Sequence, residues 1–205
     1  MKRRYDMKVR INYGVVALCA ILLLSCGTAL KEIALKSQSE RTDVFQEVQE
    51  GVSIPRGFVE LTITSSVKTH LEGHYILESK ESAHGKSAYP FVINIDGQAA
   101  TWKVNGQEEN LPMYDERGKG TPEGGKGVRY NLEKKILLRT GTHNIFFGLP
   151  GEKLSLQFKL VLKPGDSNVL EFRPVYSRRG KQPRYFFNGV SRLEVILNGN
   201  EIKIS

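Results

Sequence analysis

The chain is poor in cysteine, tryptophan and methionine, and it lacks a long hydrophobic run. Its 205 residues include two cysteines, one tryptophan and three methionines. Two cysteines exclude a disulfide-dense scaffold. Hydrophobic residues make up 40% and charged residues 25%, which excludes a wholly disordered or collagen-like chain. The sequence also lacks the G-x-S-x-G and H-E-x-x-H motifs of common hydrolases.

The longest apolar run, Val15–Leu24, is too short to cross a membrane comfortably. A helix of this length spans about 15 Å, half of a bilayer core of about 30 Å. The residues before the run are strongly basic, and a short apolar run behind a basic segment is typical of a secretory signal peptide. We therefore assign residues 1–25 to a signal peptide. Its charged residues are Lys2, Arg3, Arg4, Lys8 and Arg10 against the single acid Asp6.

The segment Leu23-Leu24-Ser25-Cys26-Gly27 resembles the lipobox of bacterial lipoproteins. The resemblance implies cleavage before Cys26, lipid on its thiol and acylation of the new amino group. Two or more acyl chains give stable attachment to a membrane. Gly27 after the cysteine implies, for such families, the outer membrane facing the periplasm. An uncleaved anchor helix, and an ordinary signal peptide with a chance cysteine, stay open as alternatives.

Loss of the signal peptide changes what the composition implies. The formal net charge falls from +8 to about +4, so we expect no nucleic-acid partner. With Cys19 removed and Cys26 lipidated, no thiol remains for a disulfide, a metal or catalysis. Residues 26–53 are read as the lipidated cysteine followed by a tether or a short helix. In the helical alternative, Val44, Phe45 and Val48 share one face.

From residue 54 onwards the hydrophobic pattern has a period of two, which predicts strands with one apolar face each. The strongest runs are Val59–Ile63, Phe91–Ile95, Leu154–Leu162 and Leu193–Leu197. The weaker candidates are His74–Glu78, Thr101–Val104, Val128–Leu138, His143–Leu149, Val169–Val175 and Glu201–Ile204.

Turn residues separate these runs, because Gly and Asn adopt positive φ at little cost. The predicted turns are Asp96-Gly97, Asn105-Gly106, Pro164-Gly165-Asp166, Asn188-Gly189 and Asn198-Gly199. The last of them predicts a C-terminal hairpin. Many short strands without a long helical period predict a mainly β domain over residues 54–205, an antiparallel β-sandwich of immunoglobulin-like or related type.

Part of this region resembles PEGA-type and related immunoglobulin-like envelope modules, over residues 89–172. The shared features are a strand ending in a "-DG-" turn at Asp96-Gly97, a later strand opening with "G-x-H" at Gly141–His143, the turn at Gly165 and the strand Val169–Phe172. The resemblance implies a sandwich fold without catalysis, in a protein associated with cell envelopes and surface carbohydrate.

Two segments interrupt the strand pattern and are the candidate contact regions. Residues 112–127 are charged and glycine-rich, and a loop of that length is usually functional or disordered. Residues 177–184 are basic and are followed by aromatic residues, which suits an acidic polysaccharide, a phosphorylated glycan or lipid headgroups. An exposed basic turn beside a buried aromatic strand stays open. The candidate binding residues are Arg178, Arg179, Lys181, Arg184 and Tyr185.

Other motifs predict no catalytic or metal site. Gly120–Gly127 departs from a P-loop because Gly127 has no hydroxyl. His70 and His74, if in a strand, lie about 13 Å apart, too far to share a metal ion. His84 and His143 have no partner nearby in sequence. A pair of glycosidase-type carboxylates stays open.

We therefore expect a non-enzymatic envelope module without a cofactor. Its expected partners are the membrane, through the N-terminal lipid, and an envelope protein or an acidic glycan. Two alternatives stay open: a hydrolase of envelope polymers that uses carboxylates, and an accessory lipoprotein of a secretion or export machine.

Overall fold

The structure is a computed structural model that describes residues 28–48, 53–164 and 168–204. The predicted signal peptide and Cys26 lie outside the described residues, as does most of the turn predicted at Pro164-Gly165-Asp166. None of the helices in the described ranges has the length and apolar character needed to cross a bilayer.

The described residues are mainly β, as the period-two pattern predicts, and form two mostly antiparallel sheets. Residues 28–36 form the helix α1. The strands are β1 (Phe45–Glu47), β2 (Phe58–Thr69), β3 (Ala88–Ile95), β4 (Gln98–Asn105), β5 (Gln107–Leu111), β6 (Gly125–Arg139), β7 (Gly141–Leu149), β8 (Leu154–Leu162), β9 (Asn168–Tyr176), β10 (Val190–Leu197) and β11 (Asn200–Ile202). Short 3-10 helices span Pro150–Glu152 and Phe186–Asn188.

The larger sheet has the order β1-β6-β2-β9-β10-β11, with β5 also paired to β6. The smaller sheet has the order β4-β3-β7-β8. Strands β2 and β6 pair along their length, from Phe58 opposite Arg139 to Thr69 opposite Val128. The pair β2–β9 is parallel, so the expectation of purely antiparallel sheets is wrong at this position.

Both sheets contribute to one hydrophobic core. The rings of Phe147 in β7 and Phe172 in β9 stack with centroids 3.8 Å apart and planes inclined by 2°. In β2 the residues from Val59 to Val67 alternate between buried and half-buried, as the sequence predicts. Strand β3 is buried on both faces instead, because Ile33 of α1 covers Val92 and Phe146.

The N-terminal segment takes part in this fold. Helix α1 contributes Ile33 to the small apolar cluster on β3, and the Asn94 side-chain amide donates to the Lys36 carbonyl at 2.9 Å. The alternative of a helix containing Val44, Phe45 and Val48 is wrong, because Phe45–Glu47 pair with β6 as β1. Strand β1 therefore pairs with the edge of β6 that faces away from β2.

Two of the predicted reversals are confirmed. Asp96-Gly97 joins β3 to β4 and Asn198-Gly199 joins β10 to β11, with positive φ at all four residues. Asn105-Gly106 is not a hairpin turn, because the chain passes there from one sheet to the other. Gly106 is required by close packing, since a Cβ atom would lie 2.4 Å from a methyl group of Val128.

The strand predicted over His74–Glu78 is wrong, because residues 70–87 form a loop of turns and bends between β2 and β3. The other weaker candidates all fall in strands: Thr101–Val104 in β4, Val128–Leu138 in β6, His143–Leu149 in β7, Val169–Val175 in β9 and the first residues of Glu201–Ile204 in β11.

Asp96 connects the β3–β4 turn to β7. Its carboxylate accepts hydrogen bonds from the Asn144 backbone N–H at 2.8 Å and from His143 Nδ1 at 2.7 Å. Burial opposes ionisation of Asp96, but these donors outweigh it and hold the pKa of its carboxyl below the usual value. An acid with a depressed pKa stabilises the fold above its unfolded-state pKa, and this contribution is lost as the pH falls through the folded-state pKa.

We expect Asp96→Asn to lower the free energy of unfolding by about 1–2 kcal/mol at pH 7, because asparagine keeps the turn geometry but not the charge. The difference from wild type should shrink as the pH falls below the unfolded-state pKa of about 4, and it should disappear only below the lower folded-state pKa, where the wild-type carboxyl is protonated too. Urea denaturation at several pH values measures this. Asp43→Asn, at an exposed surface pair with Arg41, should produce no measurable change; a pH-independent loss in Asp96→Asn would contradict the account.

Candidate functional site

A groove of about 880 Å³ lies on the larger sheet. It lies between the β5–β6 loop and the C-terminal half of β9, and we call it the loop groove. Its lining combines apolar residues with ion-paired side chains. The residues that line it are Ser66, Leu111, Pro112, Tyr114, Asp115, Glu116, Thr121, Pro122, Glu123, Arg129, Glu171, Arg173, Pro174, Val175, Tyr176 and Arg184.

The β5–β6 loop that forms one wall is shorter and more ordered than the sequence predicts. Gly125–Gly127 belong to β6, so the loop spans residues 112–124. Asp115 accepts hydrogen bonds from the backbone N–H groups of Arg117 and Lys119, and Tyr114 pairs with Gly120. Gly124 lets this loop close, because a Cβ atom there would lie 2.6 Å from the Met113 Cα. The predicted loop is therefore three residues shorter than expected, and hydrogen bonds hold the part that remains.

A buried lysine holds the loop on the sheet. The Lys68 side chain points away from the core at the end of β2, yet none of it is exposed. Its ammonium donates to the carbonyls of Glu123 at 2.7 Å and Gly125 at 2.8 Å. It also lies 3.1 Å from the Glu109 carboxylate and 4.7 Å from the Phe186 ring centroid. A buried ammonium requires such partners, so its burial and the closure of the loop are coupled.

An ion-paired network continues from Lys68 to the floor of the groove. Arg129 donates to Glu109 and Glu123 at 2.7 Å each, and Glu123 accepts from the Tyr176 hydroxyl at 2.9 Å. Burial opposes the charge of Arg129, but the two carboxylates raise its pKa above the usual value. Burial and the negative charge of Glu123 raise the pKa of the Tyr176 hydroxyl. Arg129 therefore stays charged and the Tyr176 hydroxyl stays neutral at neutral pH.

The structure does not gather the five candidate residues of the basic segment into one patch. Arg184 lines the loop groove, whereas Arg178 and Arg179 line a second cleft. Lys181 is exposed on the turn between them. Tyr185 fixes the β5–β6 loop, because its hydroxyl donates to the Gly124 carbonyl at 2.7 Å. The basic segment thus lies between two clefts.

The second cleft, of about 620 Å³, contains the side chains of His70, Glu78 and His84, which we call the histidine cluster. His70 is 2% exposed and follows directly after β2. His84 Nδ1 lies 3.0 Å from His70 Nε2, and its Nε2 lies 2.7 Å from Glu152 Oε1. Glu78 Oε1 lies 3.5 Å and 3.6 Å from the facing nitrogens of His70 and His84.

The surroundings shift the pKa values of the two histidines in opposite directions. Burial lowers the pKa of His70. Burial also opposes protonation of His84, but its hydrogen bond to Glu152 raises its pKa above the usual value. Glu152 is desolvated as well, yet His84, the Val190 backbone N–H and the Tyr89 hydroxyl together lower its pKa. These side chains therefore form a set of interacting titratable groups.

The strand predicted over His74–Glu78 and the strand spacing expected for His70 and His74 hide this cluster in the sequence. The turns in the 70–87 loop bring the rings of His70 and His74 to 5.3 Å between centroids, far closer than the predicted separation. His70 is buried rather than facing solvent on a strand. His84 and Glu152 are far apart in the sequence, so their spacing does not predict that they interact. The one signal in the sequence is that three of its four histidines lie between residues 70 and 84.

Comparisons of the chain with protein-family models, curated proteins and solved structures find no match. The two clefts are therefore interpreted from their own residues.

Tyr176→Phe tests whether the network supports the groove. The Tyr176 hydroxyl accepts from the Lys68 backbone N–H at 3.0 Å and donates to Glu123, so its removal leaves a buried donor unpaired. We expect the free energy of unfolding to fall by about 1–3 kcal/mol in chemical denaturation. Tyr114→Phe, at an exposed tyrosine of the same groove, is the control and should change it by less than about 0.5 kcal/mol. Equal effects of the two substitutions would refute a structural role for the network.

Proposed function

We propose that this chain is a lipid-anchored protein of the bacterial cell envelope that binds an envelope protein in the loop groove, without catalysis. The anchor is the lipidated Cys26, and the predicted location is the outer membrane facing the periplasm. The observation that carries the binding proposal is the groove itself, a large cavity whose walls are fixed by buried ion pairs. A preorganised groove loses little conformational freedom when a partner binds.

The proposed fold is an immunoglobulin-like β-sandwich. Two mostly antiparallel sheets that share one core support this architecture, as does the Phe147–Phe172 stack between residues of different sheets. The resemblance of residues 89–172 to PEGA-type modules leads to the same proposal. In such a sandwich, the loops and the outer sheet faces are the surfaces that are free to bind partners.

The composition of the loop groove favours a polypeptide over an acidic glycan. Its apolar residues include Leu111, Pro122 and Val175, which suit the side chains of a protein segment. Two of its three arginines are paired with acids: Arg129 with Glu109 and Glu123, and Arg173, whose guanidinium lies 2.9 Å from Glu171. The lining has three arginines, with Arg184, against four acids, Asp115, Glu116, Glu123 and Glu171. A site for a polyanion needs an excess of positive charge, and this groove has none.

Site-specific photo-crosslinking in native membranes tests the proposal. A photoreactive phenylalanine analogue in place of Tyr114, which is 65% exposed at the groove, should give a protease-sensitive adduct with an envelope protein. The same analogue in place of Val161, exposed on β8, is the control and should give none. Val175→Glu should lower the adduct yield at least about fivefold, because the charge must be buried under the partner.

Val169→Glu is the matched variant, since it lies on the same strand but outside the groove lining, and it should leave the yield unchanged. Cys26→Ser should move the protein from the membrane pellet to the soluble fraction. A glycan adduct at Tyr114 would contradict a protein partner, and equal adducts at Tyr114 and Val161 would contradict the loop groove as the binding site. A wild-type protein in the soluble fraction would contradict the lipid anchor.

A second candidate function is hydrolysis of an envelope polymer. It is favoured by one observation, the His84–Glu152 contact of 2.7 Å beside Glu78 in an open cleft. Turnover of a cell-envelope polymer that is lost in Glu78→Gln but kept in Val175→Glu would establish this function in place of binding alone.

A further inference from the structure

The hydrogen-bond partners of the histidine cluster determine where its lone pairs point. His70 Nδ1 lies 2.9 Å from the Leu71 carbonyl, which only accepts, so this nitrogen carries the proton. His84 Nε2 faces the Glu152 carboxylate at 2.7 Å and carries a proton for the same reason. In their neutral forms, His70 Nε2 and His84 Nδ1 therefore point lone pairs at each other across 3.0 Å. Two lone pairs at this distance repel unless a cation lies between them.

Glu78 adds a third lone pair at the same point. Its Oε1 lies 3.5 Å from His70 Nε2 and 3.6 Å from His84 Nδ1, beyond ordinary hydrogen-bond length to either nitrogen. A proton shared by the two histidines satisfies both nitrogens, and the oxygen accepts from the Ser82 hydroxyl at 2.6 Å, which leaves it a second lone pair for a cation. A larger cation contacts all three atoms.

The three distances match the geometry of a tetrahedral metal site. With metal–ligand bonds of about 2.1 Å, the ligand atoms of a tetrahedral zinc ion lie about 3.4 Å apart. The cluster has separations of 3.0, 3.5 and 3.6 Å. One ion therefore reaches all three atoms with shifts of a few tenths of an ångström, on the order of what a side chain provides by small torsional changes.

The residues behind these ligands have the arrangement that orients metal ligands in proteins. Each histidine donates its other N–H to an oxygen, His70 to a backbone carbonyl and His84 to a carboxylate. Glu152 is itself fixed by the Val190 backbone N–H at 2.9 Å, and Glu78 by the Ser82 hydroxyl at 2.6 Å. The ligands are thus held in place before a metal arrives.

The charge of the cluster favours a divalent ion over a proton. The side chains of Glu78 and Glu152 are 16% and 4% exposed, so two largely buried carboxylates lie beside the two imidazoles. A divalent ion brings more positive charge to these carboxylates than a single shared proton does. Buried charge without compensation is strongly unfavourable.

We propose that His70, Glu78 and His84 bind one divalent transition-metal ion of the zinc class. Three protein ligands leave the fourth tetrahedral position for water or an exogenous ligand, and the cleft around the cluster gives access to it. Arg178 and Arg179 also line this cleft, so the exogenous ligand expected there is an anion. The site uses residues outside the loop groove, so it is tested separately from the binding proposal.

Metal titration of the full chain in detergent tests the proposal. After treatment with a chelator, Co²⁺ should bind with a stoichiometry of one and give the visible absorption bands of a tetrahedral site, and Zn²⁺ should displace it. His70→Gln, His84→Gln and Glu78→Gln should each weaken binding at least about 100-fold. Circular dichroism of each variant verifies that it is folded. If a histidine variant does not fold, Glu78→Gln still tests the site, because the side chain of Glu78 is partly exposed and its substitution disturbs the fold less.

The matched controls are Glu81→Gln, at an exposed residue of the same loop, and His143→Gln, at a buried histidine of β7. Both should bind Co²⁺ within about threefold of the wild type, because neither side chain belongs to the cluster. Two results would overturn the proposal: a folded wild type that binds no stoichiometric metal and holds only a proton between its histidines, or Co²⁺ binding that Glu78→Gln leaves intact.

Discussion

The buried ammonium of Lys68 is the interaction on which the outer surface of the larger sheet depends. The outward-facing residues of β2 from Phe58 to Ser66 are all partly exposed to solvent. The side chain of Lys68 on the same face is not exposed at all. Its charge is stable there only because two carbonyls and Glu109 surround it. The carbonyls belong to the end of the β5–β6 loop and the start of β6, so the lysine and the loop position each other.

The end of β2 consequently organises both clefts. Lys68 fixes the wall of the loop groove, and His70, two residues later, begins the histidine cluster. The Thr69 hydroxyl between them accepts from the Gly85 backbone N–H at 3.0 Å, which brings the far end of the 70–87 loop back beside the strand. The long ladder with β6 holds this end rigid. Residues at the end of this strand and directly after it thus support two chemically different surfaces.

The sequence predicts the parts of this structure that depend on local rules. Alternation places Val59, Leu61 and Ile63 in the core, and the turn residues at Asp96-Gly97 and Asn198-Gly199 give the expected hairpins. The sequence does not predict burial that comes from distant segments. Lys68 lies beyond the predicted run Val59–Ile63, at the end of the longer strand β2, and His84 contacts Glu152 across 68 residues. The alternation of apolar and polar residues predicts which face of a strand points into the core. It does not predict which segments pack against the outward face.

Hydrogen exchange in Lys68→Met, compared with the wild type, tests most directly whether this lysine closes the loop. The substitution keeps the side-chain volume but removes the charge. The account predicts exchange at least about tenfold faster at the amides of Thr121 and Gly124, and at Phe186, whose N–H donates to the Pro122 carbonyl, with β3 and β7 unchanged. Unchanged protection of these amides, or an equal loss of protection throughout both sheets, would contradict it.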